Sequence, residues 1–224
     1  MTRIYFVRHA EAEGNVKEFF QGRIDCEISE KGAIQLQYLA KRFEAIDYDA
    51  IYSSPLKRAL ATANAVNSRL RLPIFERHGI IEINGGVWEG RLWTEIERDY
   101  PAEHNLWKND MKRFSIEGGE SMTEVYERMN DAVSEIVREN IGRTVVVVSH
   151  GCALRNYLAY AEFGTAERLG DVGWSDNTAV SLIEYGDDLA PRIIFKNDSS
   201  HLPPEASTPA FSRRSKYDEK ENVK

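Results

Sequence analysis

Short apolar runs alternate along this chain with longer stretches in which apolar residues recur every three or four positions. Ile4–Val7, Ala50–Ser53, Ile74–Glu76, Thr144–Ser149, Val180–Tyr185 and Arg192–Phe195 read as strands. The unbroken valines from Val145 to Val148 predict a strand buried on both faces. The last two runs are parted by Gly186, Asp187, Asp188 and Pro191, which predicts a terminal pair joined as a hairpin. Between the runs lie helical patterns. Leu36, Leu39, Ala40 and Phe43 form a stripe behind the cap candidate Ser29. Ser54-Pro55 predicts an N-cap and first-turn proline for a helix over 56–70. Ser121 to Glu124 is a capping box, followed by Met122, Val125, Met129, Ala132, Val133, Ile136 and Val137 on one face. A further helix follows Gly151 through Leu154, Leu158 and Ala161. Strands alternating with helices predict a layered α/β sheet.

Two segments break the alternation. Residues 93–117 are crowded with charges and carry Trp93, Tyr100, Trp107 and Phe114, which predicts a helical lid inserted over one end of the sheet. Residues 203–224 have few aliphatic residues and include Arg213-Arg214, which predicts a poorly ordered tail. The expected organisation is one domain over 1–202, with that lid and that tail.

Composition narrows the functional classes. With 224 residues, 42% hydrophobic and 29% charged, the chain has the makeup of a globular domain large enough for its own core. Lys and Arg total 29 against 36 Asp and Glu, a net charge of −7, which argues against a nucleic-acid coat. No apolar run approaches the roughly 18 residues of a membrane span, and Ile4–Val7 is too short for a signal-peptide core. Cys26 and Cys152 form no metal motif, so the expectation is reduced thiols, a cytoplasmic setting and no cofactor.

Candidate chemistry collects at one rim. Ligands of open α/β sheets bind beyond the carboxyl ends of the strands. Arg8 and His9 follow the first strand, Ser53, Ser54 and Arg58 the second, and His150 and Gly151 the fourth. Glu82 stands in an apolar frame, Ile80-Ile81-Glu82-Ile83. Guanidinium groups grip phosphate oxygens in pairs, and a helix start adds backbone donors. An unprotonated histidine can attack phosphorus, a second, protonated one can neutralise the transferring group, and a carboxylic acid can protonate the leaving alcohol. None of this requires a metal.

The motifs go further. Arg8-His9-Ala10-Glu11, Asn15, Gln21-Gly22 and Ser29-Glu30-Lys31-Gly32 open the series. Ser53-Ser54-Pro55-Leu56-Lys57-Arg58-Ala59 with Thr62-Ala63, Glu82 with Gly86-Val87-Trp88-Glu89-Gly90, Gly118-Gly119-Glu120-Ser121, Ser149-His150-Gly151, Asn177-Thr178 and Asn197 to Leu202 continue it. In this order, from residue 3 to 202, the chain resembles the histidine phosphatase (phosphoglycerate-mutase-like) superfamily. The resemblance implies a three-layer α/β/α sandwich on a mostly parallel sheet with an antiparallel edge strand. It implies His9 as nucleophile, Arg8, Arg58 and His150 as the rest of the phosphate pocket, and Glu82 as proton donor and acceptor. It implies Asn15, Gln21 and Gly22 in a substrate-holding loop and a backbone donor at Gly151. Two positions depart from the pattern. Ala10 stands where glycine is commonest and needs an ordinary backbone there. Gly85 stands where relatives often carry an aromatic ring, which predicts a less filled wall beside Glu82.

The expected activity is metal-independent hydrolysis of small phosphorylated metabolites, with no nucleic-acid or membrane partner. Family mutases carry a longer insertion with adjacent arginines; residues 93–117 offer only Lys112-Arg113. The alternatives are a phosphoglycerate mutase, a phosphoprotein phosphatase or a binder of phosphorylated ligands. His78 and His104 read as surface residues, His201 as structural, Trp88 as core, Trp107 as core or lid surface, and Cys152 as open to oxidation.

Overall fold

A computed structural model describes residues 1–208. In chain order the elements are β1 (Thr2–Arg8), α1 (Glu13–Val16), α2 (Glu30–Phe43), β2 (Ala50–Ser53), α3 (Lys57–Val66), β3 (Ile74–Glu76), α4 (Trp93–Asp99), α5 (Pro101–Asn109), α6 (Met122–Glu139), β4 (Thr144–Ser149), α7 (Gly151–Phe163), β5 (Val180–Tyr185) and β6 (Pro191–Asp198). The strands form one six-stranded sheet in the order β3-β2-β4-β1-β5-β6. β3, β2, β4 and β1 run parallel. β5 pairs antiparallel with β1 and β6 antiparallel with β5, so the reversed pairing is confined to that edge.

Alternation along the central strands divides the core. Val145 and Val147 of β4, with Ile4 and Phe6 of β1, pack in the larger cluster with α6 and α7. Val146 and Val148, with Val7, pack with Leu39 and Phe43 of α2 and Ala59, Ala63 and Val66 of α3. All four valines are fully buried, each contributing about 1.5–3 kcal/mol of burial free energy. The three layers therefore follow from the two-residue period of the strands.

The caps explain two helices. Ser29 Oγ accepts from Gly32 N at 3.0 Å, opening α2. Ser121 Oγ accepts from Glu124 N while Glu124 accepts from Ser121 N, opening α6. α3 departs from expectation at both ends: it runs Lys57–Val66, with Leu56 as N-cap. Ser54 is committed to a histidine instead, and Asn67 turns the chain away by bonding both the N–H and the C=O of Leu72.

The lid segment forms α4 and α5, and its rings turn inward. Trp107 and Phe114 are buried, and together with Trp93 they surround Phe20 and Trp88 at centroid separations of 4.9 to 6.3 Å. Trp107 is thus part of the core. His104, expected at the surface, is buried on the inner side of α5.

Residues 203–208, grouped by sequence with the poorly ordered tail, are docked. Ala206 and Thr208 are buried, Gln35 Nε2 donates to Ala206 O and Thr208 Oγ1, and Lys31 donates to Ser207 O. Polar pairing fixes this segment where a count of aliphatic residues suggested nothing would. The remainder of that stretch, 209–224, lies outside the described residues. Among the described residues no helix is long and apolar enough to cross a membrane.

Candidate active site

The C-terminal ends of β1, β4 and β2 bring Arg8, His9, His150, Ser54 and Arg58 to one end of the sheet. The nucleophile candidate is held by its own backbone. His9 N donates to Ser149 O at 3.0 Å, and His9 O accepts from Asn177 Nδ2 at 3.0 Å. The next residue is tied to α3, with Ala10 N donating to Thr62 Oγ1 at 3.0 Å. Ala10 is buried and does not have a positive φ, so its methyl group is accommodated without strain.

His9 is buried, and its Nδ1 lies 2.7 Å from Ala10 O. A carbonyl can only accept, so Nδ1 carries the proton and Nε2 keeps its lone pair. Burial, then Arg58, then Arg8, hold its pKa well below the ordinary histidine value. The ring is neutral at physiological pH, which is the state nucleophilic attack requires.

Arg58, in the first turn of α3, is almost completely buried. It donates to Gly22 O and Ile24 O, both at 2.7 Å, while its Nε–H has no partner among the described residues. Burial lowers its pKa, opposed by Glu82 and other acids nearby. Arg8 donates to Ser175 O, and its guanidinium lies against Gly151, where an added Cβ would come within 3.3 Å of Nε. Gly151 thus gives Arg8 room. The next backbone donors, Cys152 N and Ala153 N, are taken by Glu82 at 3.1 and 3.0 Å.

Glu82 also accepts from Ile83 N at 2.9 Å, so backbone donors orient both carboxylate oxygens at the start of α7. Its loop is nailed to α6 by Arg128, which donates to the carbonyls of Gly79, Ile81 and Glu82 and pairs with Glu120. His150 is the N-cap of α7, fully buried, with its ring centroid 5.1 Å from that of His9. Its Nε2 lies 2.6 Å from Ser54 Oγ, and Nδ1 has no partner among the described residues. Burial, then Arg58 and His9, push its pKa well below the ordinary value. Burial beside two arginines thus disfavours a further positive charge on His150 in the free protein.

The loop residues divide. Gly22, at φ 48°, offers its carbonyl to Arg58. Asn15 uses Oδ1 on its own turn, accepting from Ala12 N at 3.0 Å. Gln21 lies across Gly14, where an added Cβ would meet its Cγ at 2.1 Å. The wall beside Gly85 is not open: a Cβ there would be 2.3 Å from Phe20 Cε1, so Phe20 fills the space. Cys152 is buried with its thiol pKa pushed well up by burial and Glu82, which leaves it an unreactive thiol, contrary to the oxidation expected. Cys26 and Cys152 are both free cysteines. His201 is structural as expected, bridging Arg42 and Thr178.

Sequence reasoning assigned no role to Ser175, Thr62, Asn177 or Glu89. Thr62, Asn177 and Glu89 stood inside the motifs, but nothing in their spacing tells a backbone clamp from a ligand. Among the described residues no group of three or more His, Cys, Asp or Glu is placed to hold a metal ion.

His9 is a buried neutral histidine whose pKa is lowered by that burial and by two nearby arginines, Arg58 and Arg8. The family model described as "Histidine phosphatase superfamily (branch 1)" matches residues 4–198. The chain belongs to this superfamily. Phosphoserine phosphatase 1 of Hydrogenobacter thermophilus is 37% identical over 155 residues, 69% of this chain and 74% of that protein. A metal-independent phosphoserine phosphatase of Arabidopsis thaliana is 31% identical over 173 residues, 75% of this chain and 73% of the other. Among solved structures, YhfR of Bacillus stearothermophilus superposes with a TM-score of 0.86 at 32% identity, covering 91% of this chain and all of that one. This histidine phosphatase is accordingly a phosphoric monoester hydrolase, and its α/β sandwich is the family's.

Proposed function

We propose that the chain hydrolyses small phosphorylated metabolites through a phosphohistidine at His9, without a metal, and that L-phosphoserine is the first substrate to try. The observation that carries the mechanism is the 2.7 Å contact between His9 Nδ1 and Ala10 O, which leaves Nε2 as the nucleophilic nitrogen. The names of the phosphoserine phosphatases above support the substrate.

In the first half-reaction Nε2 attacks phosphorus and the P–O bond to the alcohol breaks. Arg8, Arg58 and His150 hold the equatorial oxygens, and Glu82 in its acid form gives the leaving oxygen its proton. In the second, water attacks phospho-His9, Glu82 accepts the water proton, and the P–N bond breaks to release phosphate and neutral His9. Gly22 holds Arg58 through its carbonyl, and Asn15 braces the turn at the start of α1. Lys112 and Arg113 pair with Glu167 and Asp110; that arrangement favours hydrolysis over a carboxylate-gripping mutase. A reducing compartment such as the cytoplasm suits a chain with two free cysteines.

The test is phosphate release from a panel of monoesters in EDTA, with His9→Ala alongside and acid-labile, base-stable phosphoprotein trapped by rapid quench. Release lost in the variant, with trapped phosphate in the wild type, supports the reading. Conversion of 3- to 2-phosphoglycerate without release makes the chain a mutase. Turnover that survives His9→Ala refutes the mechanism.

A further inference from the structure

Ser54 follows β2, is fully buried, and has its hydroxyl between two groups. Leu56 N donates to Oγ at 3.4 Å. His150 Nε2 lies 2.6 Å on the other side. A backbone N–H cannot accept, so the hydroxyl proton has one place to go among the described residues, the lone pair of Nε2. The proton of the neutral ring then sits on Nδ1, the buried nitrogen with no partner. In the opposite tautomer Nε2–H would point at Oγ, the hydroxyl proton would be left without an acceptor among the described residues, and Nδ1 would carry a lone pair in place of a proton.

We propose that Ser54 is a positioning residue that fixes the Nδ1–H tautomer of His150, so that the neutral ring donates from Nδ1 to an oxygen of the phosphoryl group in transfer. The relay runs Leu56 N–H to Ser54 O–H to His150, and it aims the one ring donor at the ligand. It rests on the phosphohistidine reading only for what the donor meets; the tautomer belongs to the free protein. A buried serine that merely filled space would leave the ring free to adopt either form.

The experiment is long-range proton–nitrogen NMR on protein with isotope-labelled histidines at neutral pH. The ring of residue 150 is identified by its loss in His150→Gln. The expected pattern has the proton on Nδ1 and an unprotonated Nε2; a proton on Nε2 overturns the proposal without reference to activity. In Ser54→Ala the ring moves to the other tautomer or a mixture. There kcat/KM falls about 100-fold, the cost of one lost donor to the transition state, and inhibition by orthovanadate weakens in parallel. Ser54→Thr restores the hydroxyl and returns both readouts toward wild type. A Ser54→Ala protein with unchanged tautomer and activity refutes the assignment. If that variant does not fold, the wild-type and Ser54→Thr spectra decide. Absence of turnover in the wild type would sink the phosphatase reading and leave the tautomer result standing.

Discussion

Glu89 ties together the two loops to which the proposed mechanism assigns the proton donor and the hold on Arg58. Its Oε1 accepts from Gly85 N at 2.9 Å and from Arg23 N at 2.8 Å. Gly85 follows the loop of Glu82, and Arg23 follows Gly22. The carboxylate lies so flat on Gly22 that an added Cβ would be 2.2 Å from Oε1. Gly22 and Ile24 in turn offer their carbonyls to Arg58. One oxygen therefore links the loop of Glu82, the proposed proton donor, to the loop that holds the Arg58 guanidinium. Glu89→Ala strands two backbone donors, for about 1–3 kcal/mol of stability, toward the low end because water reaches this half-buried site. The catalytic effect is larger than the stability loss implies. A displacement of about 1 Å in a positioning group costs about 100-fold in rate, and among the described residues Arg58 has only these loop carbonyls to fix its fork. The expected loss in kcat/KM lies between about tenfold and that limit.

The assay is kcat/KM on p-nitrophenyl phosphate and on an alkyl phosphate, with urea unfolding of the same preparations. Glu89→Gln is the informative partner. It keeps an sp² oxygen that can accept both N–H groups, and discards only the charge. It should retain most of the activity that Glu89→Ala loses. Equal damage in both variants would mean that charge beside Arg58 matters and the tie does not. Wild-type kinetics in Glu89→Ala would refute the coupling outright.

The other predictions concern the acid, the docked segment and pH. Glu82→Gln should cost about 10²- to 10⁴-fold on alkyl phosphates and far less on p-nitrophenyl phosphate, whose leaving group needs no proton; equal losses would remove Glu82 from the role. Thr208→Val deletes the 2.6 Å donor to the buried Glu11 carboxylate, and should lower urea stability by about 1–3 kcal/mol, or less if residues 203–208 detach and admit water; unchanged stability would show that the contact contributes nothing. Burial holds the pKa values of His9 and His150 well below 6.5, and burial with Arg42 holds His201 at about 4. The unfolded chain then binds more protons, so stability is complete above about pH 6.5 and falls as pH drops toward the folded values. The slope is at most about 1.4 kcal/mol per pH unit per ring. Urea midpoints between pH 7 and 5 read this directly, and a flat profile would contradict the buried neutral rings.

Much of the fold was legible because its causes are local. The two-residue period of the strands, the valines of β4, Ser29 and the Ser121–Glu124 box each specify an element from side chains a few positions apart. What was not legible depended on partners distant in sequence. Ser54 beside a proline is a good N-cap by local rules, yet its hydroxyl meets His150, 96 positions away. His104 sits among polar neighbours, but the side of α5 that it occupies is covered only once the chain has folded. Residues 203–208 dock through Gln35 and Glu11, which no hydropathy count registers.

The same distinction runs through the site. Motif letters named Arg8, His9, Arg58, Glu82 and His150 as candidates, and the fold brings these side chains to one end of the sheet. The direction in which the two histidine pKa values shift came from surroundings the letters do not encode. Burial and two arginines disfavour a positive charge on His150 in the free protein. That bias has a chemical consequence. Two arginines already match the charge of a phosphoryl dianion, so a third positive charge would bind the phosphoenzyme and the phosphate product more tightly along with the transition state. Such uniform binding does not raise kcat. A neutral N–H aimed at one oxygen contributes where charge shifts during transfer, and leaves product release unhindered. The serine that aims it is therefore as much part of the site's design as the arginines that attract the ligand.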